Sequence, residues 1–245
     1  TDQSDPKNTM KKQAPNTIPP LLLLALVFFC ASPVSAQETI NRNALSFSAG
    51  TAVPFDEFAY SRFTYRAGFA QPGVNLDAKI IHYGKRKIFG IYADAGYAYL
   101  FFNEKRYLAE YERIFEDEGT TSVTTGGYHF LKAEAGFLIR TIAIRDTRII
   151  LQTGVGYTLC RHPYLSAVNS YWGVVNTVNS DLDLQLTGTA GVRVEHTLDE
   201  YTGIHLSYQV FACKPSFMDR ESYRAVTFYL PVRIQNINFG LTRYF

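Results

Sequence analysis

The chain has 245 residues, 47% of them hydrophobic and 15% aromatic, with 24 basic against 22 acidic side chains and a formal charge of +2. A balance this close to neutral gives no electrostatic footing for nucleic acid. The aromatic excess lies in 17 Tyr and 18 Phe against 1 Trp, and the sequence carries no Walker, Rossmann or zinc-protease motif.

Met10 is followed by Lys11 and Lys12, by an apolar run over residues 21–30, and by Ser35 and Ala36 before Gln37. A basic start, a short apolar core and a small-residue site predict a secretory signal peptide. Cleavage is expected after Ala36, with Val34 at the third position back. The run falls short of the roughly 20 apolar residues of a permanent spanning helix. Phe29 is too bulky for a lipoprotein site at Cys30. Residues 1–9 precede the expected initiator and are set aside. Losing residues 1–36 removes Lys7, Lys11, Lys12, Asp2 and Asp5, so residues 37–245 stay close to neutral and read as one domain.

Alternation with a period of two then recurs along the chain, the mark of strands that face two media. The first strand sets Leu45, Phe47, Ala49 and Thr51 against Ser46, Ser48 and Gly50. The second sets Val74, Leu76, Ala78 and Ile80 against Asn75, Asp77 and Lys79. In the third, Phe89, Ile91, Ala93, Ala95, Tyr97 and Tyr99 oppose Tyr92, Asp94 and Gly96. The fourth sets Leu131, Ala133, Ala135, Phe137 and Ile139 against Lys132, Glu134 and Arg140. The fifth sets Ile149, Leu151, Val155 and Tyr157 against Arg148, Gln152 and Gly154. The sixth has Leu184, Leu186, Ala190, Val192 and Val194 on one face, and Asp183, Gln185, Arg193 and Glu195 on the other. The seventh opposes Ile204, Leu206, Tyr208 and Val210 to His205, Ser207 and Gln209. The eighth is expected to run from near Val226 to Phe245.

Short polar turns at 84–86, 145–147 and 197–200 alternate with long segments at 103–127, 161–181 and 214–223. Residues 60–69 read as an extension of the first hairpin, set off from the second strand by Gln71, Pro72 and Gly73. The apolar phase slips between Ile234 and Ile237, which predicts a bulge near Gln235 and Asn236. Turning both places into hairpins would give ten strands; eight are expected. A soluble β-sandwich also alternates, but it buries its inner face, and burying unpaired Asp, Lys, Glu and Arg there is expensive. No apolar stretch of residues 37–245 is long enough for a spanning helix, so a membrane span must be made of strands closed into a barrel. The fold class read here is all-β, a transmembrane antiparallel up-and-down β-barrel.

The last residues, Ile237, Asn238, Phe239, Gly240, Leu241, Thr242, Arg243, Tyr244 and Phe245, alternate to an aromatic end. This pattern resembles the closing strand of bacterial outer-membrane β-barrels, and over residues 43–245 the chain resembles the small, porin-like barrels of the OmpX/OmpA type. Arg243 stands where that family prefers an apolar residue, and its stem can snorkel to the headgroups. The resemblance implies long extracellular loops and short periplasmic turns in a Gram-negative outer membrane. It further implies contact with outer-membrane lipids and lipopolysaccharide, and reading of the terminal strand by the barrel-assembly machinery. No cofactor and no enzymatic activity are expected, and the extracellular partner is open.

The inward charges Asp77, Asp94, Lys132, Glu134, Arg140, Arg148, Arg193 and Glu195 read as one lumenal network, either a narrow polar path or a salt-bridged plug. Eight strands leave an interior just wide enough for side chains, which favours the plug. His205 and Ser207, with Asp219 and Glu221 after them, resemble the His-x-Ser pair and carboxylate of lipid A deacylase barrels, with Tyr208 in place of that family's Asn. A serine nucleophile needs a base within reach and a carboxylate to orient it, and this parity turns the pair into the lumen, away from acyl chains. Cys160 and Cys213 lie on strands separated by a third, so by about 10 Å; they are either a disulfide or two free thiols. Five scattered His and the lack of a Cys-x-x-Cys give no metal spacing. Tyr107, Leu108, Tyr111, Ile114 and Phe115 recur at helical spacing in the charged segment 103–127, as a self-packed cap or a binding element. Tyr164, Tyr171 and Trp172 in segment 161–181 are the candidate partner contacts, because exposed aromatics anchor interfaces.

Overall fold

In the computed structural model the described residues are 42–62, 68–85, 87–115, 119–171, 173–219 and 226–245. The expected signal peptide, Trp172 and Glu221 lie outside them. In chain order the strands begin with β1 (Asn43–Pro54), β2 (Ala70–Tyr83) and β3 (Phe89–Phe102). The helix α1 (Glu104–Phe115) and the short strand β4 (Thr121–Thr125) come next, then β5 (Tyr128–Ile144) and β6 (Thr147–Arg161). They are followed by β7 (Leu165–Asn169), β8 (Gly173–Val178), β9 (Leu182–Thr197) and β10 (Thr202–Cys213). The chain closes with β11 (Ser216–Asp219), β12 (Val226–Tyr229) and β13 (Val232–Tyr244).

Eight of these strands form one closed antiparallel barrel in the order β1, β13, β10, β9, β6, β5, β3, β2. The seam is a ladder running from Ala44 opposite Tyr244 to Pro54 opposite Ile234. Closure pairs every strand on both sides, so no row of backbone N–H and C=O groups is left to face lipid. Parity does the rest. Phe47, Leu76, Ile80, Ile91, Phe137, Val155, Tyr157, Leu184, Leu186, Leu206, Phe239 and Leu241 all point out and are exposed. Their neighbours Ser46, Asp77, Lys79, Asp94, Lys132, Glu134, Arg193, Glu195, His205 and Asn238 point in and are buried. An apolar outer wall around a charged interior is the reverse of a water-soluble protein and the signature of a barrel that spans a bilayer. No helix among the described residues is long and apolar enough to cross a membrane.

The turns are as unequal as expected: β2–β3, β5–β6 and β9–β10 are joined by short connections at one end, and the long segments lie at the other. The long-loop end carries a three-stranded sheet in the order β4, β7, β8 and the β11–β12 hairpin. A 3-10 turn at Asp56–Ala59 follows β1, and residues 63–67 lie outside the described set. Helix α1 forms where the Tyr and Leu spacing predicts. Asn103 Oδ1 accepts from the backbone N–H of Arg106 at 3.1 Å, which caps the first turn.

Three expectations are corrected. There is no bulge near Gln235 and Asn236: β13 alternates without a register break from Val232 to Tyr244, with Ile234 inward and Ile237 outward. The apolar phase slips because the lumen itself turns apolar at this end, so Ile234 and Val232 belong inside. The strand also starts at Val232, since Val226–Tyr229 pairs with β11 instead. The separator Gln71-Pro72-Gly73 lies within β2, at a register shift against β3, where a proline without an N–H is tolerated.

The outer wall generates a direct test. Val155, 66% exposed near the middle of β6, should face hydrocarbon. Val155→Arg is expected to destabilise the barrel by about 2–4 kcal/mol in lipid vesicles, measured by urea unfolding, while Val155→Leu stays near wild type.

Candidate functional site

The lumen is filled in three layers. In the middle, Lys132 from β5 reaches across to Asp77 on β2, Nζ to Oδ1 at 2.9 Å, and to Asp94 on β3, Nζ to Oδ2 at 3.1 Å. Lys79 Nζ lies 3.7 Å from the same Asp94 Oδ2, donates to Gln152 Oε1 at 3.0 Å and sits 4.3 Å from the centre of the Tyr92 ring. Glu134 Oε1 accepts from Tyr92 Oη at 3.2 Å, Thr189 Oγ1 at 3.1 Å and Gln209 Nε2 at 3.2 Å. Asn238 Nδ2 on β13 donates to Asp77 Oδ2 at 2.8 Å, and Asn75 donates to the same oxygen. Charges withdrawn from water need such partners on every side. Gly96 makes the crossing possible: a Cβ there would overlap Asp77 Oδ1 and Lys132 Cε.

A second centre lies toward the short-turn end. Arg193 Nη2 binds Glu195 Oε2 at 2.6 Å and donates to His205 Nδ1 at 3.1 Å. A guanidinium only donates, so His205 Nδ1 is the unprotonated ring nitrogen. Thr242 joins Arg193, Glu195 and His205, and the Tyr244 hydroxyl bonds Glu195. Arg140 stacks 3.7 Å over the Tyr83 ring. This end is finished by Ala44, Ile81, Tyr83, Tyr92, Leu138, Ile150 and Tyr244 in one buried cluster. The eight residues read from the sequence as one network thus fall into two centres: Asp77, Asp94, Lys132 and Glu134 in the first, Arg193 and Glu195 in the second. Arg140 stands at the Tyr83 ring, and Arg148 is buried in register with Glu195. Lys79, Gln152, Tyr92, Tyr244 and Thr242 share this work. Their inward parity is legible in the sequence, but the pairings across the lumen are not.

The third layer, at the long-loop end, is apolar. Leu100, Phe130, Phe211, Val232 and Ile234 close over the lumen, with Phe58 of the 3-10 turn packed edge-on to Tyr128 at 5.0 Å. Cys160 and Cys213 lie inside this layer with their sulfurs 3.7 Å apart. Their strands are separated by β9, as expected, but inward side chains converge in so narrow a barrel. Two cavities between lumenal side chains measure about 10 Å³ each, room for no more than a water.

His205 and Ser207 are both buried on the lumenal face. The His205 ring nitrogen is engaged by Arg193 and Thr242, and the nearest acid in that cluster is Glu195. Asp219 sits on β11 at the long-loop end, and Glu221 lies outside the described residues.

The chain is a closed eight-stranded antiparallel β-barrel with an apolar outer wall and a charged lumen. No family model matches the sequence and no curated protein matches it. The barrel is similar in fold to the solved attachment invasion locus protein Ail of Yersinia pestis, at 10% identity over 84% of this chain and 99% of that one, TM-score 0.44. It is likewise similar to Neisserial surface protein A, at 10% identity over 85% and 100%, TM-score 0.43. A third is the outer-membrane protein AlkL in lipid bilayers, at 10% identity over 87% and 94%, TM-score 0.48. At this identity the likeness is one of fold, and no residue role passes from those barrels to this one.

Above the wall of this barrel, α1 lies against the loops as a self-packed element. Its Tyr107 packs edge-on to Phe69 at 5.3 Å and against Phe102 at 5.6 Å. Tyr164 and Tyr171, which flank β7, are exposed. His162, between β6 and β7, is buried between Tyr128 and Phe217. Burial holds its imidazole down at about 4, against the hydrogen bond to the Pro163 carbonyl and the charge of Asp181, which both raise it.

Two outcomes are expected. Lys132→Met leaves Asp77 buried without its cation and Asp94 with Lys79 alone, and should cost roughly 3–5 kcal/mol in vesicle unfolding; adding Asp77→Asn should recover much of it. For His162 the folded value lies below the unfolded 6.5, so the unfolded chain binds the extra proton. Stability is full above pH 6.5 and lost as pH falls toward 4. Relative to His162→Phe, the wild type should lose up to about 3 kcal/mol over that window, read from unfolding midpoints at each pH.

Proposed function

We propose that this protein is an outer-membrane surface scaffold: a plugged, non-conducting barrel that anchors a structured set of loops for adhesion, envelope integrity or partner binding. One observation carries the reading. The lumen holds an apolar layer, an ionic layer and an aromatic layer in succession, and two cavities between its side chains measure about 10 Å³ each. A pore for solutes needs a continuous path, and these layers close it twice over.

The long-loop end then faces outward and the short turns face the periplasm. What meets a partner is the β4–β7–β8 sheet with exposed Tyr164 and Tyr171. Large amphipathic side chains of this kind supply contact area at low entropic cost. A hydrolase reading finds less support, because His205 and Ser207 sit in the lumen and the imidazole is committed to Arg193. A lipid acyl chain travels along the outer wall, which those two side chains do not reach.

Single-channel recording of refolded residues 37–245 in a planar bilayer tests the proposal. Insertion without discrete conductance steps is the expected result. Discrete steps whose ion selectivity shifts on Lys132→Glu or Arg193→Glu would make the protein a narrow channel and retire the scaffold.

A further inference from the structure

We propose that Cys160 and Cys213 form a disulfide site that staples the long-loop mouth of the barrel; the idea rests on the export of the chain to an oxidising compartment inferred above. They are the two cysteines of residues 37–245, the third being Cys30 in the expected leader. Cys160 is the penultimate residue of β6 and Cys213 the last of β10, and β9 runs between them. Their Sγ atoms nevertheless meet at 3.7 Å inside the barrel, with Cys160 fully buried and Cys213 9% exposed. Phe130 stands opposite Cys160 in the ladder and Val232 opposite Cys213. Bonding distance is about 2 Å, so the sulfurs have to approach by less than the length of one carbon–sulfur bond. A disulfide also brings its Cα atoms to within about 7 Å, so closing the bond draws the ends of β6 and β10 inward past β9.

The two thiols are buried in apolar surroundings, where a dissolved oxidant has poor access. The bond therefore forms before or during closure, while the chain is still open. One thiolate attacks a disulfide-bearing oxidant, giving a mixed disulfide and releasing one thiol. The second thiolate attacks that mixed disulfide at the first cysteine's sulfur and expels the second thiol. Each cysteine loses one electron and one proton, and the oxidant leaves as a dithiol. Once the mouth closes, Phe130, Phe211 and their neighbours shield the bond from reductant. The covalent loop encloses β7, β8, β9 and β10, which ties the surface sheet to the wall.

The test uses the full chain expressed in a Gram-negative host. Outer membranes are isolated, and the protein is denatured with N-ethylmaleimide before and after reduction, then weighed by mass spectrometry. The expected result is no label before reduction, two labels after it, and a mass lighter by two hydrogens than the reduced form. Cys160→Ser should take one label without reduction. Wild-type barrel from the outer membrane that takes two labels without reduction overturns the proposal and leaves two packed thiols. If the protein is recovered in another fraction, the inferred location fails and the pairing is still decided in vitro. There the reduced chain, residues 37–245, is refolded into phosphatidylcholine vesicles with oxidised glutathione. An internal bond in the monomer upholds the site. Glutathione adducts on both cysteines, or linked dimers, reject it. Reductant should lower the unfolding midpoint of the bonded wild type and leave Cys160→Ser unchanged.

Discussion

Everything in this structure follows from the absence of water beside its backbone. In hydrocarbon an unpaired N–H or C=O has no partner, so a sheet is admissible only when its first and last strands meet. Here β1 and β13 meet in antiparallel register along most of both strands. That single ladder turns an open sheet with two adhesive edges into a tube. It also fixes which residues face lipid, because the side-chain period is two and register sets parity for the whole wall.

A tube of eight strands then has to be filled. The filling chosen is not uniform. Polar side chains in the middle answer one another across the lumen: Lys132 joins β5 to β2 and β3, and Glu134 is reached from β3, β9 and β10. These bonds cost desolvation and return specificity of register, since a one-residue slip of any strand would turn a lumenal charge toward lipid. At the ends the problem changes. Aromatic and aliphatic side chains seal the long-loop mouth, and Arg140 over Tyr83 with Tyr244 over Glu195 finishes the other.

Much of this was legible in the residues. Alternation gave the eight wall strands and their faces except at the start of the eighth, and the polar turns gave the order of short and long connections. The helix over Glu104–Phe115 showed in the spacing of Tyr107, Leu108 and Tyr111. Reading failed where one rule, apolar out and polar in, was carried too far. Ile234 is apolar and inward because the mouth of the lumen is dry, and no local pattern separates that from a bulge. The division of the inward charges into two centres was equally hidden. It depends on which side chains are long enough to meet across the barrel, which is a property of three dimensions. The approach of Cys160 to Cys213 escaped for the same reason: strand spacing measures distance along the wall, whereas their sulfurs meet across a chord.

The crossing at Gly96 constrains how this chain can change by descent. Lys132 passes through space that exists only because position 96 has no side chain. Neither residue is therefore free to drift alone. A larger residue at 96 requires a shorter one at 132, and a shorter one at 132 strands the acid at 77 and leaves the acid at 94 to Lys79 alone. Among relatives these positions should change together or stay fixed together, so the ionic layer is inherited as a block, while the exposed loops above it vary on their own account.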